Sequence, residues 1–247
     1  MMSLPKRCAR SVVMNLDLKW CDAKAARYAV MNWHYSRTMP LGRIVKVGAW
    51  ENGKFIGCVM FARGSTPTLG HAFGIEQTEV CELVRVALNK HQNPVSKIVS
   101  IAVKMLKKQC PGLKLIISYA DTREGHHGGI YQAMNWVYVG RTPEGKERFH
   151  DGKWKHNRTL TGVQLNGTRP NIDLSKLPVR ITPGKHKYIY ILDESLKDAV
   201  MSKAVPYPKR TRVASIDSDA PCSQRGEGGA NPTATLDIQE AMNASTD

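Results

Sequence analysis

No stretch of this 247-residue chain stays apolar for the roughly eighteen residues that a bilayer-spanning helix needs, so no membrane span is expected. The N-terminal Lys6, Arg7 and Arg10 are not followed by the apolar core of a secretory leader, which makes the cytoplasm the expected compartment. The six cysteines, Cys8, Cys21, Cys58, Cys81, Cys110 and Cys222, contain no C-x-x-C pair. That spacing excludes a zinc ribbon and a disulfide scaffold, and leaves reduced thiols used for packing. No internal repeat is present. Acidic residues are scarce, at 21 Asp and Glu against 36 Lys and Arg.

The charge that remains is uneven. The chain carries +15 in total, yet residues 213–247 hold six acidic residues against the single Arg225, so the first 212 residues carry +20. A cationic body suits a polyanionic partner, because each phosphate it contacts releases counterions; the alternative is a solvated basic surface. The last 35 residues are rich in Gly, Ser, Thr and Ala and poor in large apolar side chains, which predicts a disordered tail. The expected organisation is one folded domain over 1–212 and a tail over 213–247, with 42% hydrophobic residues sufficient for a single core.

Along the chain, Leu16–Met31 reads as a first helix, with Asp22 near its start and Ala23, Ala25, Ala26 and Ala29 inside it. Residues 32–42 (NWHYSRTMPLG) read as an irregular loop. Two β-rich runs, 44–50 and 55–61, flank Asn52-Gly53, a strong hairpin signal. Residues 63–77 read as a long loop and 77–88 as a central strand. Residues 94–110 carry Ile98, Ile101, Ala102, Met105 and Leu106 on one helical face and Lys97, Lys104, Lys107 and Lys108 on the other. A strand over 113–119, a short helix over 130–135 and a strand over 136–140 follow. Residues 143–165 read as a β-extension and 187–192 as one more strand. The fold class is α/β, and the order strand, helix, strand, short helix, strand over 81–142 is similar to the back half of the Gcn5-related N-acyltransferase (GNAT) fold: a mixed sheet flanked by helices, here with a C-terminal extension.

Several polar residues stand out against this scaffold. Asn93 is a good N-cap and Pro94 suits the first helical position, which places Ser96 in a first turn able to receive an anion; an ordinary capped helix is the alternative. In most acyltransferases of this fold the preceding loop is Gly-rich and wraps a pyrophosphate. Here it reads Asn89-Lys90-His91-Gln92-Asn93, which disfavours acetyl-CoA and leaves the donor open. Arg85 lies mid-strand and needs a carboxylate, Glu79 or Glu82, or a bound anion. Asp121 follows an apolar strand, where sites open in α/β sheets, and Ser118, Tyr119, His126, His127 and Tyr131 surround it in sequence. That cluster offers a base, a metal ligand and a phenolic acid, or a capping Asp followed by a polar turn. His34 and Tyr35 lie between Trp33 and Arg37, a mixture that suits a flipped nucleobase. Two imidazoles and a carboxylate from His34, His126 or His127, and Asp121 would suit Fe(II), although no local spacing enforces it.

These segments together resemble the phage Mu Mom family of DNA-modifying proteins: NWHYSR (32–37), GAWENGKFIGCVMF (48–61), ELVRVAL (82–88), PVSKIVSIAVKMLKK (94–108), ISYADTREGHHGGIYQAMNW (117–136), KHKYIYIL (185–192) and PYPKR (206–210). The resemblance covers about residues 16–210. It implies an acyltransferase-like transferase that converts adenine in double-stranded DNA to N6-carbamoylmethyladenine, protecting phage DNA from host restriction endonucleases in the host cytoplasm. It implies dependence on iron. Carried onto the matching positions, it implies His34, Tyr35, Arg85, Ser96, Asp121 and Tyr131 as active-site residues. Of these, His34 and Asp121 would hold or activate a metal-bound species, and Arg85 and Ser96 would meet the donor. Tyr35 would stack on the extruded adenine, and Tyr131 would donate a proton or shape the pocket. Oligomeric state, a dimer included, is left open. Two rivals remain: a conventional acetyl-CoA-dependent N-acetyltransferase acting on a small amine or protein, and a non-catalytic DNA-binding protein.

Overall fold

A computed structural model describes residues 15–40, 42–64, 66–162 and 172–209. The expected tail, the basic N-terminus, Cys8, Cys222 and Arg210 lie outside the described residues. The chain divides into two compact units, the first built on residues 15–63 and 83–111 and the second on 64–82 and 112–209.

The first unit opens with a difference from the sequence reading. Leu16–Trp20 is a strand, β1, and the helix α1 begins only at Ala23 and runs to Trp33. Leu16, Leu18 and Trp20 alternate with Asp17 and Lys19, which suits an edge strand, and β1 pairs antiparallel with β2 (Ile44–Glu51) from Leu16↔Glu51 to Trp20↔Val47. The Asp22 carboxylate then accepts the Ala25 N–H at 2.7 Å and starts the helix. Ala25, Ala26, Ala29 and Val30 recur on one face and form a buried cluster with Phe55, Cys58, Met60 and Ala87, so small helical side chains let α1 lie close on the strands.

The hairpin falls where Asn52-Gly53 predicts it. β2 and β3 (Lys54–Ala62) pair from Ile44↔Ala62 to Glu51↔Lys54, and Asn52 and Gly53 both take positive φ, 50° and 77°. The register shifts once, between Ala49 and Trp50. Strand order in this unit is β1-β2-β3-β4, with β4 at Val80–Leu88. At Gly57, with φ 133°, an added Cβ would stand 1.9 Å from the Ala87 carbonyl oxygen, so this position tolerates no side chain. Helix α2 (Val95–Gln109) buries Ile98, Val99, Ala102, Val103 and Leu106 and packs on β1 and β2. Each large apolar member of that face contributes about 1.5–3 kcal/mol.

In the second unit, β5 (Leu115–Ala120) and β6 (Val137–Arg141) do not pair with each other. The late strand β10 (His186–Ile191) lies between them, antiparallel to both. Its Tyr188 and Ile189 are fully buried. The short helix α3 is confined to Gly129–Gln132. The segment read as a long loop is partly core: Leu69, Phe73 and Ile75 cluster with Val80, Leu115, Ile117, Ile189 and Val200, the last from α5 (Lys197–Met201). Residues 77–79, read as strand, form a 3-10 turn closed by a reciprocal Glu76–Glu79 capping box. The expected β-extension is a separate sheet in the order β8-β7-β9, from Lys153–His156, Gly145–His150 and Val179–Thr182, with a one-turn helix α4 (Asn157–Thr161) after β8.

The expected order of strand, helix, strand, short helix, strand is therefore present as β4, α2, β5, α3 and β6, and the fold is mixed α/β. The described cysteines, Cys21, Cys58, Cys81 and Cys110, are free thiols, and burial pushes the Cys58 thiol well above its ordinary value. Gly57→Ala is expected to destabilise the protein by about 2 kcal/mol or more, and Gly53→Ala, where an added Cβ meets nothing within 4 Å, by about 1 kcal/mol. Chemical denaturation of the two variants reads the difference.

Candidate active site

Four of the six expected residues, His34, Tyr35, Arg85 and Ser96, belong to the first unit, and Asp121 and Tyr131 belong to the second. In the first unit α1 ends at His34, whose N–H closes on the Val30 carbonyl and whose backbone turns extended. The buried His34 ring accepts the Ser36 N–H at Nδ1 (3.1 Å), with the Ser36 hydroxyl 2.8 Å from the same atom. An accepting Nδ1 puts the proton of the neutral ring on Nε2. The Tyr35 ring lies tilted against that of His34, with centroids 4.3 Å apart, and the residue is 47% exposed.

The loop after α1 is tied down by Arg85. Its Nε and Nη2 donate to the Thr38 carbonyl, each at 3.2 Å, and Nη1 donates to the Val84 carbonyl at 2.7 Å. Three of its donors thus serve the main chain, and the guanidinium positions the segment that carries His34 and Tyr35. Of its two expected carboxylate partners, Glu79 pairs with Lys114 at 2.7 Å.

Ser96 lies half-buried in the first turn of α2, but the start of that helix differs from expectation by one residue. Pro94 occupies the N-cap, and Asn93 is drawn away by a buried carboxylate. Glu51, at the end of β2, accepts the Gln92 N–H (2.8 Å), the Asn93 N–H (2.7 Å) and the Asn93 side-chain amide (2.8 Å), while Lys97 donates to Asn93 Oδ1 (2.8 Å). Burial alone would raise the Glu51 pKa, but the loop amides outweigh it and hold the carboxyl below its ordinary value. No local pattern marks this residue, since Glu51 adjoins a hairpin turn and lies 41 residues from Gln92.

In the second unit Asp121 follows β5 and caps a 3-10 turn by accepting the Arg123 N–H at 3.1 Å. Its oxygens also take Arg123 Nε (3.3 Å), Arg123 Nη2 (3.2 Å) and Lys185 Nζ (3.0 Å). Burial would raise its pKa, yet the hydrogen bonds from Arg123 and Lys185 prevail and lower it to about 2. A carboxylate held so firmly ionised is a weak base, which counts against the acid–base role read from its position. Arg123 continues to Glu147 at 2.9 Å, Glu147 to Arg180 at 2.6 Å, and the Arg180 guanidinium lies 4.6 Å from the centre of the Trp154 ring. Tyr131 is buried: its hydroxyl accepts from Ser118 at 2.7 Å and its ring packs between Trp136 and Tyr188, each at 5.0 Å. His126 is exposed, and the His127 carbonyl accepts the Tyr188 hydroxyl at 2.6 Å. Buried His186 lies 2.8 Å from the Tyr138 hydroxyl, and burial, then the charges of Arg141 and His127, lower its pKa. No sequence signal marked that pair.

The donor set implied for iron does not fit as these side chains are placed. A His34 bound to a metal through Nε2 would carry its proton on Nδ1, where the Ser36 N–H already points. Both Asp121 oxygens face cationic donors, which a metal ion would have to displace. Among the described residues, no three His, Cys, Asp or Glu side chains group to hold a metal ion.

Two outcomes follow from these carboxylates. Glu51→Gln leaves one acceptor oxygen for three donors and is expected to destabilise the protein by about 2 kcal/mol, read by denaturation at neutral pH. For Asp121, whose folded pKa is depressed to about 2 from an ordinary 3.8, the stabilisation is fully present above the unfolded value and disappears as pH falls. The stability difference between the unaltered protein and Asp121→Asn should be constant above about pH 5 and vanish between about pH 4 and pH 2.

The family model of the Mom protein family matches residues 15–209. The methylcarbamoylase mom of Escherichia phage Mu is 26% identical over 194 residues, covering 74% of this chain and 80% of that protein. Looser likenesses of overall form include an acetyltransferase of Bacillus subtilis in complex with CoA (11% identity, TM-score 0.42, 73% of this chain and 99% of that one). Another is FeeM, an N-acyl amino acid synthase from uncultured soil microbes (9% identity, TM-score 0.42, 79% and 97%). With every element from β1 to α5 inside the matched span, the chain belongs to the Mom protein family.

Proposed function

We propose that this protein is a transferase that modifies adenine in double-stranded DNA, replacing one hydrogen of the N6 amino group by a carbamoylmethyl group and so shielding phage DNA from host restriction endonucleases in the cytoplasm. The observation that carries the reading is the match of the Mom family across residues 15–209, joined to the similarity to the phage Mu methylcarbamoylase. In the reaction, the amino nitrogen forms the new C–N bond and releases a proton while the donor's leaving group departs with the bonding pair. His34, Tyr35, Arg85, Ser96, Asp121 and Tyr131 are the residues on which modification depends.

Their surroundings support a division of labour. Exposed Tyr35 offers a stacking face for an extruded adenine, with the His34 Nε2–H beside it as a donor. Arg85 holds that segment in place through Thr38. Asp121 anchors Arg123 and Lys185, and Tyr131 shapes the interior near Ser118. The conventional acetyltransferase reading is weakened by Glu51: the amides of Gln92 and Asn93, which would otherwise be free to meet a donor's phosphates ahead of α2, already bind an internal carboxylate.

Mass spectrometry of nucleosides from plasmid DNA in cells expressing the protein tests the proposal. The expected result is a heavier deoxyadenosine carrying CH2–CO–NH2, reduced about 10- to 100-fold by Tyr35→Ala if one base-stacking contact is lost. Unmodified deoxyadenosine from soluble, folded protein would overturn it.

A further inference from the structure

The positive charge of the chain is concentrated in the first unit. Residues 15–63 and 83–111 hold fourteen Lys and Arg against three Asp and Glu, whereas residues 64–82 and 112–209 hold sixteen against twelve. Each of the three acidic groups in the first unit is engaged elsewhere: Asp17 pairs with Lys19 at 3.0 Å, Asp22 caps α1, and Glu51 is enclosed by the loop before α2. Residues 83–111 contain six basic residues and no acidic one.

Helix α2 displays this excess in an ordered form. Its apolar face is spent on β1 and β2, and Lys97, Lys104 and Lys108, spaced seven and four apart, lie exposed on the opposite side. At 1.5 Å per residue they span about 16 Å. Lys90 stands exposed just before the helix. Among the described residues, neither Lys104 nor Lys108 is within ion-pair distance of a carboxylate. Lys97 also donates to Asn93 in the Glu51 network, but Lys104 and Lys108 repel each other with no carboxylate in reach, and a regularly spaced polyanion relieves that repulsion.

We propose that this face of α2 is the surface on which the protein grips duplex DNA, through the phosphate backbone and without reading sequence. The inference rests on the reading of DNA as substrate and adds where the duplex is held. Contacts of this kind position the duplex, leaving selection of the base to residues such as Tyr35.

The test is equilibrium binding of the full chain to a random-sequence duplex, followed by fluorescence anisotropy across a salt series. The variants are Lys97→Gln, Lys104→Gln and Lys108→Gln combined, beside a control of equal net charge from the second unit, Lys176→Gln, Lys197→Gln and Lys203→Gln combined. Loss of three phosphate contacts is expected to lower the slope of log K against log salt by about 2.7, at about 0.9 per contact, with the control unchanged. Equal weakening of both triple variants would show that net charge alone attracts the duplex and would overturn the surface, as would an α2 variant with an unaltered slope. If the unaltered protein does not bind duplex DNA, the inference falls together with the reading beneath it. If it binds and modifies DNA while the α2 variant does so equally, only the surface falls.

Discussion

The first unit turns on one buried carboxylate. Glu51 sits where β2 ends, and two backbone amides and one side-chain amide of residues 92 and 93 converge on it. In a dry setting those donors would each be left unsatisfied without it, and the anion would be intolerable without them. The pairing fixes where the connection after β4 lies and therefore where α2 starts. Lys97 joins through Asn93, so a cation from the first turn of the helix completes the set. The loop is thus closed by the protein's own anion at a place where helix geometry would otherwise invite an external one.

A second ionic arrangement gives the other unit its internal frame. Asp121, Arg123, Glu147 and Arg180 alternate in sign and end on the Trp154 ring. The chain runs from the end of β5 into the three-stranded extension. Exposed pairs of this kind contribute little singly, but Asp121 and Glu147 are largely shielded and each serves two cations, which couples their placement. Asp121 is accordingly better placed to orient its neighbours than to exchange a proton.

What was legible in the sequence followed from local chemistry. Asn52-Gly53 needs positive φ at both positions and specified the hairpin; the apolar and lysine faces of 94–110 specified α2. Errors arose where a distant partner overrode a local preference. The alternation of Leu16–Trp20 is only five residues long and merges by pattern with the Ala-rich helix, yet it is a strand because β2 pairs with it. Asn93 has the side chain of a good cap, yet Glu51 claims it. The expected site residues sit in or beside elements that the pattern located, and near partners such as Ser118 for Tyr131 were in view, but distant ones were not. Thr38 for Arg85 lies 47 residues away, and Lys185 for Asp121 lies on the approach to β10. The placement of β10 between β5 and β6 could not be read at all, because order within a sheet is decided by non-local pairing.

That placement bears on how the protein comes into being. The paired residues of β5 and β10 are roughly seventy positions apart along the chain. As the polypeptide leaves the ribosome, one edge of β5 therefore stays unsatisfied through the whole emergence of α3, β6 and the extension sheet. During that interval the open edge is a template for wrong partners, including the same strand of a neighbouring nascent chain. Maturation of the second unit is consequently a late event, gated by the arrival of His186–Ile191. Slow translation or high local concentration of nascent chains would tax this step before any finished molecule is exposed to stress.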